Sequence, residues 1–253
     1  MKLVKVPFSA GSLGKNIGTE KAPDEIVNEL KKMYCSEEGN EIKFEVGEIK
    51  VDNSDIEKTM QEIEKTEGDI FLGGDHSITY GLFKGFSKKN KNAGLLVFDA
   101  HPDCMENFKV THEDFINVLI SEGILKKENL VLVGLRSWDK QEIEWLKKNK
   151  IKFFTSKDIF NNTENVCDSV MEMCRNFGSL YLSIDIDVVD PAFAPGTGYL
   201  EPGGITSREL IYFIQRIKML KNLKRADLVE INPDKDVNNI TVRLGAKIIG
   251  EFL

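Results

Sequence analysis

The sequence predicts an α/β fold: one three-layer domain over residues 1–253, with a central, mostly parallel sheet of eight strands and helices on both sides. Three observations predict it. Eight short apolar runs punctuate the chain, and several are continuous rather than alternating, as in strands buried on both faces. Longer stretches with apolar residues at three- and four-residue spacing lie between them, which gives the βαβα order of a covered parallel sheet. No low-complexity tract, repeat or Pro/Ser-rich linker divides the 253 residues, a length that suits one large domain. A (β/α) barrel is the competing architecture, since eight strands would suffice to close one.

In chain order, the strand runs fall at 3–6, 44–49, 69–72, 94–98, 130–135, 151–154, 180–184 and 227–231. Helical spacing marks 55–65, 113–122, 141–149 and 208–220, and Thr206 with Glu209 has the form of a capping box at the start of the last. Cys167 and Cys174 sit seven apart on helical spacing and suit the core, as do Trp145, Phe213 and Phe252.

The formal net charge is −7, which argues against a duplex nucleic-acid partner. Acidity aids solubility, and it also favours a cationic substrate by long-range attraction. The N-terminal apolar run is too short for a signal peptide, and no apolar stretch approaches the ~20 residues of a membrane span. A soluble, cytoplasmic protein is expected. The four cysteines, Cys35, Cys104, Cys167 and Cys174, form no CxxC pair. Nothing pairs Cys104 with a base, so it is not read as a nucleophile.

Four of the strand runs end in acids and histidines. The first reaches Gly73-Gly74-Asp75-His76-Ser77 and the second Asp99-Ala100-His101-Pro102-Asp103. The third reaches Asp185-Ile186-Asp187 and the fourth Glu230-Ile231-Asn232-Pro233. Ligands of an open parallel sheet bind beyond the carboxyl ends of its strands, so four parallel runs would bring these tips together. Alternate residues of a strand point the same way, so the i, i+2, i+4 spacing of Asp99, His101 and Asp103 aims all three side chains at one place. Crowded carboxylates repel, and divalent cations relieve the repulsion. Six ligands, His76, Asp99, His101, Asp103, Asp185 and Asp187, exceed what one catalytic ion uses, so a pair of ions bridged by carboxylates is expected. An oxygen-rich set with some imidazole and no thiolate suits manganese, with iron, cobalt and zinc as alternatives. A lone Asp-His-Ser after two glycines is commonly a helix N-cap, and a lone Asp-x-Asp a solvated loop. The Asp99–His101–Asp103 triple has no comparable structural use, and two of the three histidines in the chain lie in these motifs.

These four motifs, together with 183–198 and the opening stretch from Gly11 to Pro23, resemble the ureohydrolase superfamily of arginases, agmatinases, guanidinobutyrases and formimidoylglutamases. The resemblance spans most of the chain. It implies an arginase-like α/β fold, trimers or hexamers, two manganese ions and a small guanidino substrate. It implies that His76, Asp99, Asp103 and Asp185 hold one ion, and His101, Asp99, Asp185 and Asp187 the other. Glu230 matches the glutamate that grips the guanidinium, and His112 the histidine that shuttles protons. The implied chemistry is attack of hydroxide on the guanidinium carbon, with Asp103 or His112 returning a proton to the departing amine.

The resemblance divides over the substrate. The stretch 191–204 is closer to agmatinases, and the loop from Asp103 to His112 is short, with Met105 where arginases place a carboxylate-binding Asn. Asp139 matches an arginase acid near the substrate's amino group. Agmatine is the expected substrate, with arginine, then 4-guanidinobutyrate or formimidoylglutamate, as alternatives. Two departures stand out: His112-Glu113 replaces the family's His-Gly, and Tyr199-Leu200 the Thr-Pro common in agmatinases. His112 has a competing reading as a surface residue at a helix start. From other classes, a metal-binding pseudoenzyme would have lost ligands, and a related deacylase would hold a single zinc and a catalytic tyrosine.

Overall fold

The computed structural model describes residues 1–106 and 110–253. Its centre is one open sheet in the order β2-β1-β3-β8-β7-β4-β5-β6. The strands are β1 (Lys2–Val6), β2 (Glu45–Glu48), β3 (Ile70–Gly73), β4 (Ala93–Phe98), β5 (Leu130–Leu135), β6 (Lys152–Thr155), β7 (Ser179–Asp185) and β8 (Leu223–Val229). All eight are parallel, so the sheet is wholly rather than mostly so. It runs from edge strand β2 to edge strand β6 without closing, which replaces the barrel alternative.

Alternation along the strands sends side chains into two cores. Leu96, Phe98, Leu180, Leu182 and Ile184 pack with α1 (Ala22–Leu30), α6 (Ser156–Asn161), α7 (Thr163–Arg175), α8 (Ser207–Ile217) and α9 (Ile240–Phe252). Leu95, Val97, Leu130, Leu132 and Tyr181 pack with α2 (Ile56–Lys65), α3 (Ile78–Lys89), α4 (Phe115–Ser121) and α5 (Lys140–Asn149). Burial on both faces explains why these strands read as continuous apolar runs. The edge strand β2 is largely exposed, and there the pattern weakens.

Local capping agrees with the helix starts. Thr206 Oγ1 accepts from the Glu209 amide at 3.1 Å while Glu209 accepts the Thr206 amide at 2.7 Å, which completes the capping box. Asp55 accepts the Lys58 amide at 3.1 Å and caps α2. Phe213 is fully buried in α8 and Phe252 nearly so in α9, whereas Trp145 is only half-buried against the second core. Among the described residues, no helix is long and apolar enough to cross a membrane.

The strand order reverses in the middle. From β3 the chain skips two positions to reach β4, and β7 and β8 later fill the gap. The four motif-bearing strands are therefore neighbours, β3-β8-β7-β4, and their carboxyl ends open onto the place where such sheets form a crevice.

Candidate metal and substrate site

Three of the four motifs leave regular structure before their polar residues begin. β4 ends at Phe98, so Asp99, His101 and Asp103 lie on the following loop and not on an extended strand. The expectation that alternation alone aims them is thereby corrected. Asp103 adopts φ +47°, which breaks any strand geometry, and the loop is bent by main-chain bonds from Arg136 and Ser137 to the Ala100 carbonyl (2.9 and 3.0 Å). β7 ends at Asp185, and Asp187 sits in a 3-10 turn over Ile186–Val188. β8 stops at Val229, short of the expected 231, because Glu230 turns to φ +64° while its amide donates to the Gly74 carbonyl at 2.8 Å. A Cβ at Gly74 would collide with the Phe8 carbonyl, so only glycine lets the Phe8 backbone pass this close.

The loops nonetheless converge. His76 Nδ1 lies 3.0 Å from Asp99 Oδ2, 3.0 Å from Asp103 Oδ2 and 3.3 Å from Asp185 Oδ2. His101 Nδ1 lies 3.5 Å from Asp99 Oδ1 and 3.0 Å from Asp187 Oδ2. Asp99 thus faces both histidines. Three of the aspartates share one design, in which one oxygen is fixed by an amide and the other is left facing a histidine. Asp99 Oδ1 accepts from the His101 amide (2.6 Å), Asp187 Oδ1 from that of Ala100 (3.0 Å) and Asp185 Oδ1 from that of Asp187 (2.8 Å).

Two groups, His76–Asp99–Asp103 and Asp99–His101–Asp187, gather ligand-type atoms within 4.8 Å of one another and could each hold an ion. The buried atoms His76 Nδ1 and Asp99 Oδ2, though 3.0 Å apart, make no hydrogen bond of proper geometry. Such orphaned polar atoms are costly unless something else occupies them, and nitrogen with carboxylate oxygen suits a divalent cation. Electrostatics point the same way. Burial and the neighbouring Asp99 push Asp103 well above the carboxylate range, and burial with Asp187 does the same to Asp185. Burial also opposes ionisation of Asp99, but contact with His101 and His76 outweighs it and holds this carboxyl low.

An outer layer orients His76. Its Nε2 lies 2.9 Å from Ser183 Oγ, and Ser183 donates to Asp227 Oδ1 at 2.6 Å. Asp227, 1% exposed, also accepts from Tyr181 OH (2.6 Å) and Thr79 Oγ1 (2.9 Å). With Ser183 donating to the carboxylate, its lone pair accepts from Nε2–H, which leaves Nδ1 free to face the acids.

Glu230 anchors a second polar group. Its Oε1 accepts from the His76 amide at 2.8 Å and lies 3.1 Å from His112 Nδ1, and its Oε2 accepts from Asn16 Nδ2 at 2.6 Å. Burial raises Glu230, but His112, Asn16 and the amide outweigh it and hold the carboxyl below its ordinary range. Burial likewise disfavours charge on His112, and Glu230 overrides it, bringing His112 up to about 9. His112 is 4% exposed and precedes α4 by a turn, which corrects the surface reading.

A pocket of about 310 Å³ opens over these groups, lined among others by His101, Asp103, Asp185, Asp187, Glu230 and His112. Asp139 lines it too, exposed at the start of α5, and Met105 and Glu201 add to its wall. Cys104 is buried, and burial with Glu142 keeps its thiol protonated, so it offers no nucleophile. Asn16, Ser183, Asp227 and Glu201 were not singled out from sequence. Asp227 carried a signal, as an acid inside an otherwise apolar strand run. Asn16 sits within the opening stretch at 11–23 but has no distinguishing spacing.

An open parallel sheet with paired histidine–aspartate groups at its switch point defines an α/β protein whose strand ends gather residues that could hold metal ions. A sequence profile of the Arginase family matches residues 1–253, and the chain belongs to that family. An arginase from Staphylococcus aureus (strain MRSA252) is 34% identical over 201 residues, covering 72% of this chain and 66% of the arginase. An agmatinase from Bacillus cereus is 35% identical over 191 residues, covering 72% of this chain and 61% of the agmatinase. The chain thus spans somewhat under two thirds of the length of these curated relatives. The crystal structure of a formimidoylglutamase from Bacillus subtilis superposes with a TM-score of 0.92 at 25% identity, covering 99% of this chain and 85% of that one.

Proposed function

We propose that this chain is a ureohydrolase that cleaves the guanidino group of a small cationic compound, agmatine before arginine, to urea and an amine, using two divalent ions, manganese foremost. The observation that carries the reading is Asp99 facing both histidines, beside a pocket that His101, Asp103, Asp185, Asp187 and Glu230 line. His76, Asp99, Asp103 and Asp185 would hold one ion, and His101, Asp99, Asp185 and Asp187 the other. When bound, the ions acidify water enough to supply hydroxide near neutral pH.

The protein's own groups do the rest. Glu230, ionised and held by three donors, grips the guanidinium by charge-assisted hydrogen bonds and turns its trigonal carbon toward the cluster. Asp103 takes the hydroxyl proton as the tetrahedral adduct collapses to urea. The departing amine needs a proton, and His112, charged at neutral pH through Glu230, is placed to give it from Nε2, which has no hydrogen-bond partner. Walls formed by Tyr199, Trp138 and Met105 shield the reacting carbon from bulk water.

Agmatine is favoured because Met105 offers no hydrogen bond to a carboxylate and because acids dominate the pocket wall. Asp139 and Glu201 stand where a second amine would gain. The test is urea release by manganese-loaded protein with agmatine, arginine and 4-guanidinobutyrate in parallel, beside a metal count. Urea from agmatine with two metals per chain is the expected result. Two metals and no urea from any of the three would overturn the substrate reading.

A further inference from the structure

The two places where the sequence departs from its family pattern, Glu113 and Tyr199, touch each other at the pocket wall. Tyr199 OH donates to Glu113 Oε1 at 3.1 Å, and the Lys15 ammonium forms an ion pair with the same oxygen. The Lys15 ammonium also sits 5.9 Å over the Tyr199 ring. That ring stands edge-on to His101 at 5.3 Å and tilted to His112 at 6.0 Å, so the group reaches from solvent to the chemical centre. All three residues line the pocket.

Charge at this wall is unbalanced. Among the described residues lining the pocket, Lys15 is the one lysine or arginine, against a row of carboxylates that includes Asp139 and Glu201. With the charged His112 already paired with Glu230, a tail carboxylate entering the pocket would look to Lys15 for a partner, and Lys15 is held by Glu113. The Glu113 side chain is 27% exposed and that of Lys15 48%, so their attraction is only partly screened.

We propose that Glu113 is a specificity residue: by holding Lys15 against Tyr199 it withdraws the pocket's basic side chain from incoming ligands, and so selects guanidino compounds with an amine tail over those with a carboxylate tail. The inference rests on the ureohydrolase reading and deepens it. It also explains why Glu113 and Tyr199 depart together, since a tyrosine hydroxyl needs an acceptor and a wall lysine needs a counter-charge. Glu113 meets both needs with one oxygen. This is selection by making the wrong partner unfavourable rather than by adding a contact to the right one.

The test uses the manganese-loaded full chain as wild type, Glu113→Gln, and the double variant Lys15→Met with Glu113→Gln. Glutamine keeps an amide oxygen for Tyr199 and removes the charge. Agmatine and 4-guanidinobutyrate are compared by kcat/KM for urea release and by Kd from calorimetry. The ratio favouring the carboxylate compound is expected to rise at least tenfold in Glu113→Gln and to return to within threefold of wild type in the double variant. A ratio that stays put in Glu113→Gln, or a rise that survives loss of Lys15, overturns the proposal. The ureohydrolase reading fails separately, as a wild type that releases no urea from either compound. In that case the Kd ratios alone test Glu113, with the same rise expected in Glu113→Gln and the same return in the double variant.

Discussion

Replacing Glu230 by glutamine tests the proposed guanidinium grip with little change in size. The carboxylate now accepts from the His76 amide, His112 and Asn16. An amide cannot satisfy this set. Its NH2 must face either the His76–His112 side or Asn16, and each presents donors. Asn16 cannot flip to help, because its Oδ1 already accepts from Asn232 Nδ2 at 2.7 Å, and Asn232 is fully buried. A buried donor left unmatched costs about 1–3 kcal/mol, so the variant should melt several degrees lower. Function should suffer more selectively. A charge-assisted hydrogen bond contributes about 1.5–3 kcal/mol, so losing one to the guanidinium should lower kcat/KM roughly 10- to 100-fold. The assay is steady-state urea release from agmatine, with metal content and thermal melts measured on the same preparation. A variant that holds two metals and keeps kcat/KM within threefold of wild type would refute the role given to Glu230.

Other consequences follow from the same geometry. Asp99→Asn removes the oxygen pair that faces both histidines, so metal content should fall from two per chain to below one, whereas His101→Asn should leave one; elemental analysis distinguishes them. Ser183→Ala deprives His76 Nε2 of its acceptor and Asp227 of a donor, so it should weaken metal binding about 10- to 100-fold by calorimetry and also lower the metal-free melting temperature by several degrees. Saturating metal at ~100 times Kd should stabilise the fold by about 2.7 kcal/mol, raising its melting temperature by about 5–10 °C, an effect that chelation reverses. His112 supplies a pH test in metal-free protein. Its folded pKa is raised, so its contribution to stability is fully present below the ordinary ~6.5 and is lost as pH rises through about 9. Denaturant melts should therefore show His112→Asn destabilised relative to wild type at pH 6 and nearly level with it at pH 10.

Much of the architecture was legible because strands buried on two faces leave continuous apolar runs. The four motif-bearing runs are β3, β4, β7 and β8, and parallel pairing makes them neighbours. Legibility faded where tertiary context decides. α3 is buried nearly all round over residues 78–83, so it shows no amphipathic stripe to mark it. The barrel and the open sheet share one order of elements, and only the strand permutation separates them. Within the site, residue types were readable but paths were not. Asp103 and Glu230 take positive φ, a conformation that non-glycine side chains rarely adopt and that alternation cannot foresee. Asn16 and Asp227 reach the site across 214 and 151 residues of chain, as partners of Glu230 and, through Ser183, of His76. Their roles come from contacts and not from spacing.

Those two positive φ values locate where the fold stores cost. Asp103 and Glu230 both sit at the strand-order reversal, and both are buried acids. Backbone strain of this kind persists only where surrounding structure over-determines it. Here the amide of Glu230 is fixed to Gly74 and its side chain to three donors, so relaxing φ would forfeit several bonds at once. The neighbouring aspartates are also held, with one oxygen tied to an amide and the other facing a histidine nitrogen. A site stabilised for its own sake would pair both oxygens. One that leaves the second oxygen of Asp99, Asp185 and Asp187 facing a histidine nitrogen is instead suited to cations, and repulsion among the acids of the metal-free protein would become affinity on binding them.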